Sequence, residues 1–297
     1  MKVAVSGAHG LIGGALVDRL SRAGHDVVRL VRGEPGPGEV RWDPGAGQID
    51  AASLEGLDAT VHLAGVGIGD RRWNEAHKRR VLDSRVQGTG LLASALAALD
   101  RPPAALLSAS AIGIYGDRGD EILTEESPTG TGFLAELCLR WEAATGPAER
   151  AGIRVVHLRS GIVQATSGGA LGKQLPLFRF GLGGRLGSGR QYVSWISLHD
   201  EIRAIEHALT AETLRGPANL TAPSPVTNAE YTAALGAVLH RPAALRVPGG
   251  ALRLALGREM AEEMLLGGQR VLPAALEASG FRFEQPALPA ALRDLLG

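Results

Sequence analysis

The chain is poor in the residues that most often carry chemistry: one cysteine, three tyrosines and three lysines (Lys2, Lys78, Lys173) among 297 residues. A single thiol, Cys138, closes no intrachain disulfide and builds no zinc cage. With no base and orienting group near it in sequence, it reads as a small apolar residue on a helix. The eight histidines contain no H-E-x-x-H pairing, so no metal site is expected. No apolar run is long enough to span a bilayer; the longest, residues 102–110, is strand-like and interrupted by serine. An excess of either charge is missing too, with 31 Lys plus Arg against 31 Asp plus Glu. That removes the basic surplus on which nucleic-acid binding depends, and no polybasic segment points to a membrane surface. Met1-Lys2-Val3-Ala4-Val5 is not a signal-peptide pattern, so the expected location is the cytoplasm. There the sequon Asn219-Leu220-Thr221 would never meet the glycosylation machinery.

What is present is an ordinary globular composition, 45% hydrophobic and 21% charged. The length suits one large domain or a large one plus a small one. Short β-branched apolar runs at 2–5, 26–31, 59–64, 104–110 and 153–158 read as strands. Helical periodicity over 11–23, 73–99 and 132–150 separates them, with Gly24 ending the first helix. Residues 33–47, rich in Gly and Pro, read as a loop or a very short element. Strands alternating with helices of this length predict a doubly wound, mainly parallel sheet whose strands are apolar throughout. The second half is less regular. It is glycine-rich over 168–189 and broken by Pro242, Pro248, Pro273, Pro286 and Pro289, which suggests a smaller, mostly helical lobe. The expected division is a dinucleotide-binding domain over 1–165, with 190–225 returning to it, and a substrate lobe over 166–189 and 226–297.

The densest signal is Gly7-Ala8-His9-Gly10-Leu11-Ile12-Gly13, between the first strand and the first helix. Gly7 permits the sharp turn, Gly10 lets the backbone approach a pyrophosphate, and Gly13 allows close helix–strand packing. The helix start offers free N–H groups and a positive dipole end to the anion. In a chain with 41 glycines the spacing alone is weak; the strand–turn–helix context makes it specific. An NAD-selective site carries an acid at the tip of the second strand, and here the strand ends in Arg32. A guanidinium suits a 2′-phosphate, which favours NADP(H); the bland reading is a solvated arginine at a strand end.

With this loop, the third strand ending His62-Leu63-Ala64-Gly65, and the fourth ending Ser108-Ala109-Ser110 with Tyr115-Gly116, the chain resembles the extended short-chain dehydrogenase/reductases of the NAD(P)-dependent epimerase/dehydratase family. A narrower likeness, to an epimerase-like subgroup with its own C-terminal segment, rests on Asp70-Arg71-Arg72-Trp73, Asp83-Ser84-Arg85, residues 133–138, Gly181-Leu182-Gly183-Gly184, residues 186–191 and Gly267-Gly268-Gln269-Arg270-Val271-Leu272-Pro273. The resemblance covers essentially the whole chain and implies a Rossmann-type α/β fold. It implies that Leu63, Ala64, Gly65 and Ser108 lie along the cofactor with the loop residues Gly7, His9, Gly10, Leu11, Ile12 and Gly13, and that Ser110 hydrogen-bonds a substrate hydroxyl or carbonyl. The 181–190 loop would line the substrate pocket, and a homodimer could form through the two long helices.

One departure limits the functional inference. The superfamily places Lys four residues after a Tyr on one helical face, where the cation lowers the Tyr pKa for proton transfer. Here those positions carry Phe133 and Leu137. None of Tyr115, Tyr192 and Tyr231 is followed by Lys at that spacing, and the asparagine expected before Val86 is Arg85. Either Tyr115, Ser110 or a water supplies the proton, or the protein binds NADP(H) without turnover as a regulatory module. For Tyr115 a packed position, with its hydroxyl on a backbone group, is the plainer expectation. The first alternative is an oxidoreductase or epimerase acting on a small or sugar-like carbonyl or hydroxyl substrate. Three decoys fall away. Residues 169–173 lack the first glycine and the Ser or Thr of a phosphate-binding P-loop, Ser160 lacks a hydrolase elbow, and His199-Asp200 reads as a helix cap.

Overall fold

A computed structural model describes residues 1–297. Its main sheet has eight strands: β1 (Lys2–Ser6), β2 (Asp26–Val31), β3 (Glu39–Asp43), β4 (Gln48–Ile49), β5 (Ala59–His62), β6 (Ala105–Ala111), β7 (Arg154–Ser160) and β8 (Gly216–Leu220). They lie in the order β8-β7-β6-β5-β1-β2-β3-β4. β1 pairs in parallel with both β2 and β5, β5 with β6, and β2 with β3; β3 pairs antiparallel with β4. The strand order reverses at β1, and that reversal opens a crevice at the carboxyl ends of β1 and β5. Val3, Ala4 and Val5, and Ala105, Leu106 and Leu107, are buried, as strands covered on both faces must be.

The crossovers are helical: α1 (Leu11–Arg22), α2 (Glu75–Ala97), and the pair α3 (Phe133–Ala143) and α4 (Gly146–Arg150). Asn74 starts α2 by accepting the His77 N–H at 2.8 Å. The short element allowed for in 33–47 is the strand β3, in which Val40 and Trp42 alternate with polar neighbours and are buried. One expectation needs correction. The 132–150 helix is two helices, since Pro147 sits in the first turn of α4 and cannot continue the hydrogen-bond ladder of α3.

The chain divides into two compact units. The first comprises residues 1–110, 137–159 and 202–218, with a core built from β1–β3, α2 and β7 that includes Leu30, Trp42, Leu92, Leu96 and Val155. The second comprises 111–136, 160–201 and 219–297. Its core gathers Leu171, Leu175 and Phe178 of α5 (Gly169–Arg179), Tyr231 and Leu235 of α7 (Asn228–Val238), and Leu288 and Leu292 of the last helix (Leu288–Leu296) around Trp195. The helix α6 (Leu198–Thr210) starts in a stretch of the second unit and continues in one of the first, ahead of β8. No helix is long and apolar enough to cross a membrane.

Candidate cofactor site

The loop between β1 and α1 has the form that an anion requires. Gly7 has φ +70°, and a Cβ there would lie 2.8 Å from the Leu63 carbonyl carbon and 2.9 Å from the Ala64 nitrogen. A Cβ on Gly13 would overlap the Gly7 carbonyl oxygen. Gly10 meets only that same oxygen, at 3.2 Å, and is otherwise open, so a ligand can approach its backbone closely. Helix α1 starts at Leu11 with no side-chain cap and no acid in its first turn. Its leading N–H groups, with Ile12 behind Leu11, therefore remain for an external acceptor. His9 and Gly10 are exposed; Leu11, Ile12, Leu63 and Ala64 are half-buried. These residues, brought together within the first unit, form a cradle that suits a dinucleotide pyrophosphate. Arg32 is exposed directly after β2, without an ion-pair partner.

Two residues that sequence reasoning missed fix this geometry. The Ser6 hydroxyl accepts the Leu63 N–H at 3.1 Å and the Ala64 N–H at 3.3 Å, and lies 2.7 Å from His62 Nδ1. It therefore ties the end of β1 to the end of β5. Burial, with the nearby Arg85 cation second, pushes the His62 imidazole down to about 4, so the ring stays neutral. Trp42 meets it edge-on at 5.5 Å. Nothing in the local sequence marks this arrangement, because Ser6 and His62 are 56 residues apart.

Ser108 is buried, and Ser110 sits at the end of β6 in a network. The Ser110 hydroxyl donates to Glu142 Oε1 at 2.6 Å, and Arg159 donates to both oxygens of the same carboxylate, at 2.8 and 2.9 Å. Burial raises the Glu142 carboxyl, but Arg159 and Ser110 together hold it below its ordinary value. The hydroxyl hydrogen of Ser110 is thus directed at a fixed anion, leaving its lone pairs as acceptors.

The second unit holds the other residues in question. Tyr115 is 0% exposed, and its hydroxyl donates to Asn219 Oδ1 at 2.7 Å, a side-chain amide rather than the expected backbone group. Phe133 opens α3, where a carboxylate from the C-terminal segment meets it: Glu263 accepts the Phe133 N–H at 3.0 Å and the Leu134 N–H at 2.8 Å. Glu263, Glu262 and Asp117 line a cavity of about 140 Å³. Gly187 and Ser188 of the glycine-rich loop line a separate cleft of about 560 Å³ with Arg246 and Arg253. Asp200 does not cap its helix. The Ser197 hydroxyl accepts the Asp200 N–H at 3.1 Å, while Asp200 accepts the N–H groups of Glu284 and Gln285.

This loop, strand order and α/β layering agree with what sequence comparison finds. The model of the NAD dependent epimerase/dehydratase family matches residues 3–220. The chain belongs to that family. A domain of unknown function, DUF1731, matches residues 247–295. An epimerase family protein of Mycobacterium bovis is 49% identical over 291 residues, covering 98% of this chain and 96% of the relative. The human epimerase family protein SDR39U1 is 40% identical over 300 residues, covering 100% of both chains. A crystal structure of human SDR39U1 (isoform 2) with NADPH superposes with a TM-score of 0.92 at 39% identity, covering 99% of each chain. A nucleoside-diphosphate sugar epimerase from Corynebacterium glutamicum gives a TM-score of 0.83 at 40% identity, covering 100% of this chain and 58% of that longer one.

Proposed function

We propose that this protein binds NADPH on the Gly7–Gly13 loop, with Arg32 reading the 2′-phosphate, and acts as an NADP(H)-dependent oxidoreductase or epimerase on a small or sugar-like carbonyl or hydroxyl compound. The observation that carries the reading is the uncapped start of α1 behind an open Gly10, with an unpaired arginine and no acid at the tip of β2. The NADPH found with the human relative supports the same choice of cofactor. When bound, the nicotinamide supplies hydride exchange. Ser110, polarised by Glu142, would accept a hydrogen bond from a substrate hydroxyl and orient it.

Phe133, Leu137 and the buried Tyr115 favour a second reading, an NADP(H)-responsive binding module without turnover, since none of them presents a proton to a ligand. Titration with NADPH and NADH, followed by cofactor fluorescence, tests the shared core of both readings. NADPH should bind the more tightly, and Arg32→Ala should weaken NADPH by about tenfold or more while leaving NADH unchanged, as loss of a charge-assisted phosphate contact requires. Binding of neither dinucleotide would refute both readings. Turnover across a panel of carbonyl compounds and nucleotide sugars then separates the enzyme from the module.

A further inference from the structure

The helix Gly249–Leu256, inside the stretch matched by DUF1731, reads Gly-Gly-Ala-Leu-Arg-Leu-Ala-Leu and buries none of its residues. A helix this apolar ordinarily sets one stripe against a core. Here Leu254 is 81% exposed. Other large apolar side chains are exposed nearby in the chain: Leu177 in α5, Phe180 and Leu182 just after it, and Leu245 in the strand ahead of the helix. Phe180 too reaches 81%. Two contacts join these stretches. The strand Gly184–Leu186 pairs in parallel with Leu245–Val247, and Arg241 Nε donates to the Arg179 carbonyl at 3.0 Å. All of these residues belong to the second unit.

The charge on these stretches has one sign. Residues 161–199 and 231–258 each carry four lysines and arginines, all exposed, and neither contains an aspartate or glutamate, in a chain whose net charge is zero. The strand pairing sets Arg185 beside Arg246, and Arg253 is balanced by Glu262 at 2.6 Å. Because the cations are spread singly over two segments, no run of basic residues betrays them in the sequence. Their arrangement says what covers the face. A second copy docking by two-fold symmetry would press like charge against like charge. Side chains exposed as fully as Phe180 and Leu254 project outward, whereas the walls of a protein groove are sheltered. Projecting apolar tips among arginines suit a bilayer, whose acyl boundary takes the tips while anionic headgroups take the guanidinium groups.

We infer that this face of the second unit docks on an anionic lipid surface, with Phe180 and Leu254 as apolar anchors and the surrounding arginines as headgroup contacts. The docking is peripheral and is independent of the proposed NADPH site. Flotation of the full chain with lipid vesicles tests it. The protein should float with vesicles of phosphatidylcholine containing about one-third phosphatidylglycerol and stay behind with phosphatidylcholine alone. Raising salt from about 0.1 M to about 1 M shortens the screening length from about 10 Å to about 3 Å and should release most of the bound protein. The double variant Phe180→Ser, Leu254→Ser should partition about tenfold less than wild type, as should Arg179→Gln with Arg246→Gln. These side chains are exposed, so both variants should melt as wild type does and bind NADPH equally well. Wild-type protein that ignores the anionic vesicles would overturn the inference. In that case sedimentation velocity assigns the face to a second copy if the Ser variant abolishes dimers, and a monomer leaves an acidic protein as the occupant. Flotation equal to wild type in both folded variants would also overturn it, because lipid would then bind elsewhere on the chain. A variant that does not melt cooperatively is replaced by Phe180→Trp, which should float at least as well as wild type; weaker flotation of that protein counts against the inference.

Discussion

Glu201 is a fully buried carboxyl whose Oε1 accepts the Ser160 hydroxyl at 2.6 Å and whose Oε2 has no partner. Burial raises it to about 8, only partly offset by Ser160, so it is a neutral acid at pH 7. Because its folded pKa lies above the unfolded value, the stability this group contributes is fully present below the unfolded pKa of about 4.5. It is lost as pH rises through about 8, at about 1.4 kcal/mol per pH unit between the two. Glu201→Gln cannot ionise. Denaturant unfolding at pH 5 and pH 8.5 should therefore show the wild type losing several kcal/mol more than the variant between the two conditions. Parallel pH dependences for the two proteins would mean that Glu201 ionises normally. Glu142 is the opposite case, a buried carboxylate kept charged because Arg159 grips both its oxygens.

Among the elements, α3 is the most revealing. Its first residue, Phe133, is the one for which the family resemblance expects a tyrosine, and its N-terminus is closed by Glu263 from the π-helical turn Glu262–Leu266. A carboxylate there satisfies two orphan N–H groups and complements the helix dipole. Gly132, at φ +106°, leaves room for it, since a Cβ would lie 2.8 Å from Glu263 Oε1. Glu263→Ala should lower stability by about 1–2 kcal/mol, the usual cost of losing a charged cap. The check is the urea midpoint at unchanged slope. An unaltered midpoint would show that the contact contributes nothing to the fold.

For the whole molecule, the question is what the C-terminal segment does. It supplies Glu263, the strand Arg270–Val271 that pairs with Ile122–Leu123, and the last helix, whose Leu288, Ala291 and Leu292 are buried in the core of the second unit. Asn219, which receives the Tyr115 hydroxyl, itself donates to the Leu272 carbonyl at 3.0 Å. The segment is thus part of the second unit's interior. A chain ending at residue 246 should expose that core, bind a hydrophobic dye and lose cooperative thermal unfolding. A truncated protein that melts in one sharp transition without dye binding would show the segment to be an independent appendage.

The sequence by itself determined the layered α/β class, the glycine loop between β1 and α1, and the presence of Arg32 rather than an acid after β2. Each of these depends on neighbours a few residues apart: a β-branched run, a glycine where φ must be positive, a helix start. It also exposed the absence of the Tyr and Lys pair, which is a matter of spacing on one helix. The strand at Glu39–Asp43 was legible only as a loop or very short element, because five residues between Gly- and Pro-rich turns are too few to fix a period, and pairing with β2 defines it. The tertiary structure alone decided the roles of Ser6, His62, Glu142 and Glu263. Their partners lie from 17 to 130 residues away in the chain, and only the crossovers of the sheet bring them within hydrogen-bond reach. It also decided the surroundings of Arg85, whose guanidinium lies over the Trp141 ring and donates to the Val66 and Val81 carbonyls. Burial and such contacts belong to the packed molecule, and no pattern of neighbouring residues encodes them.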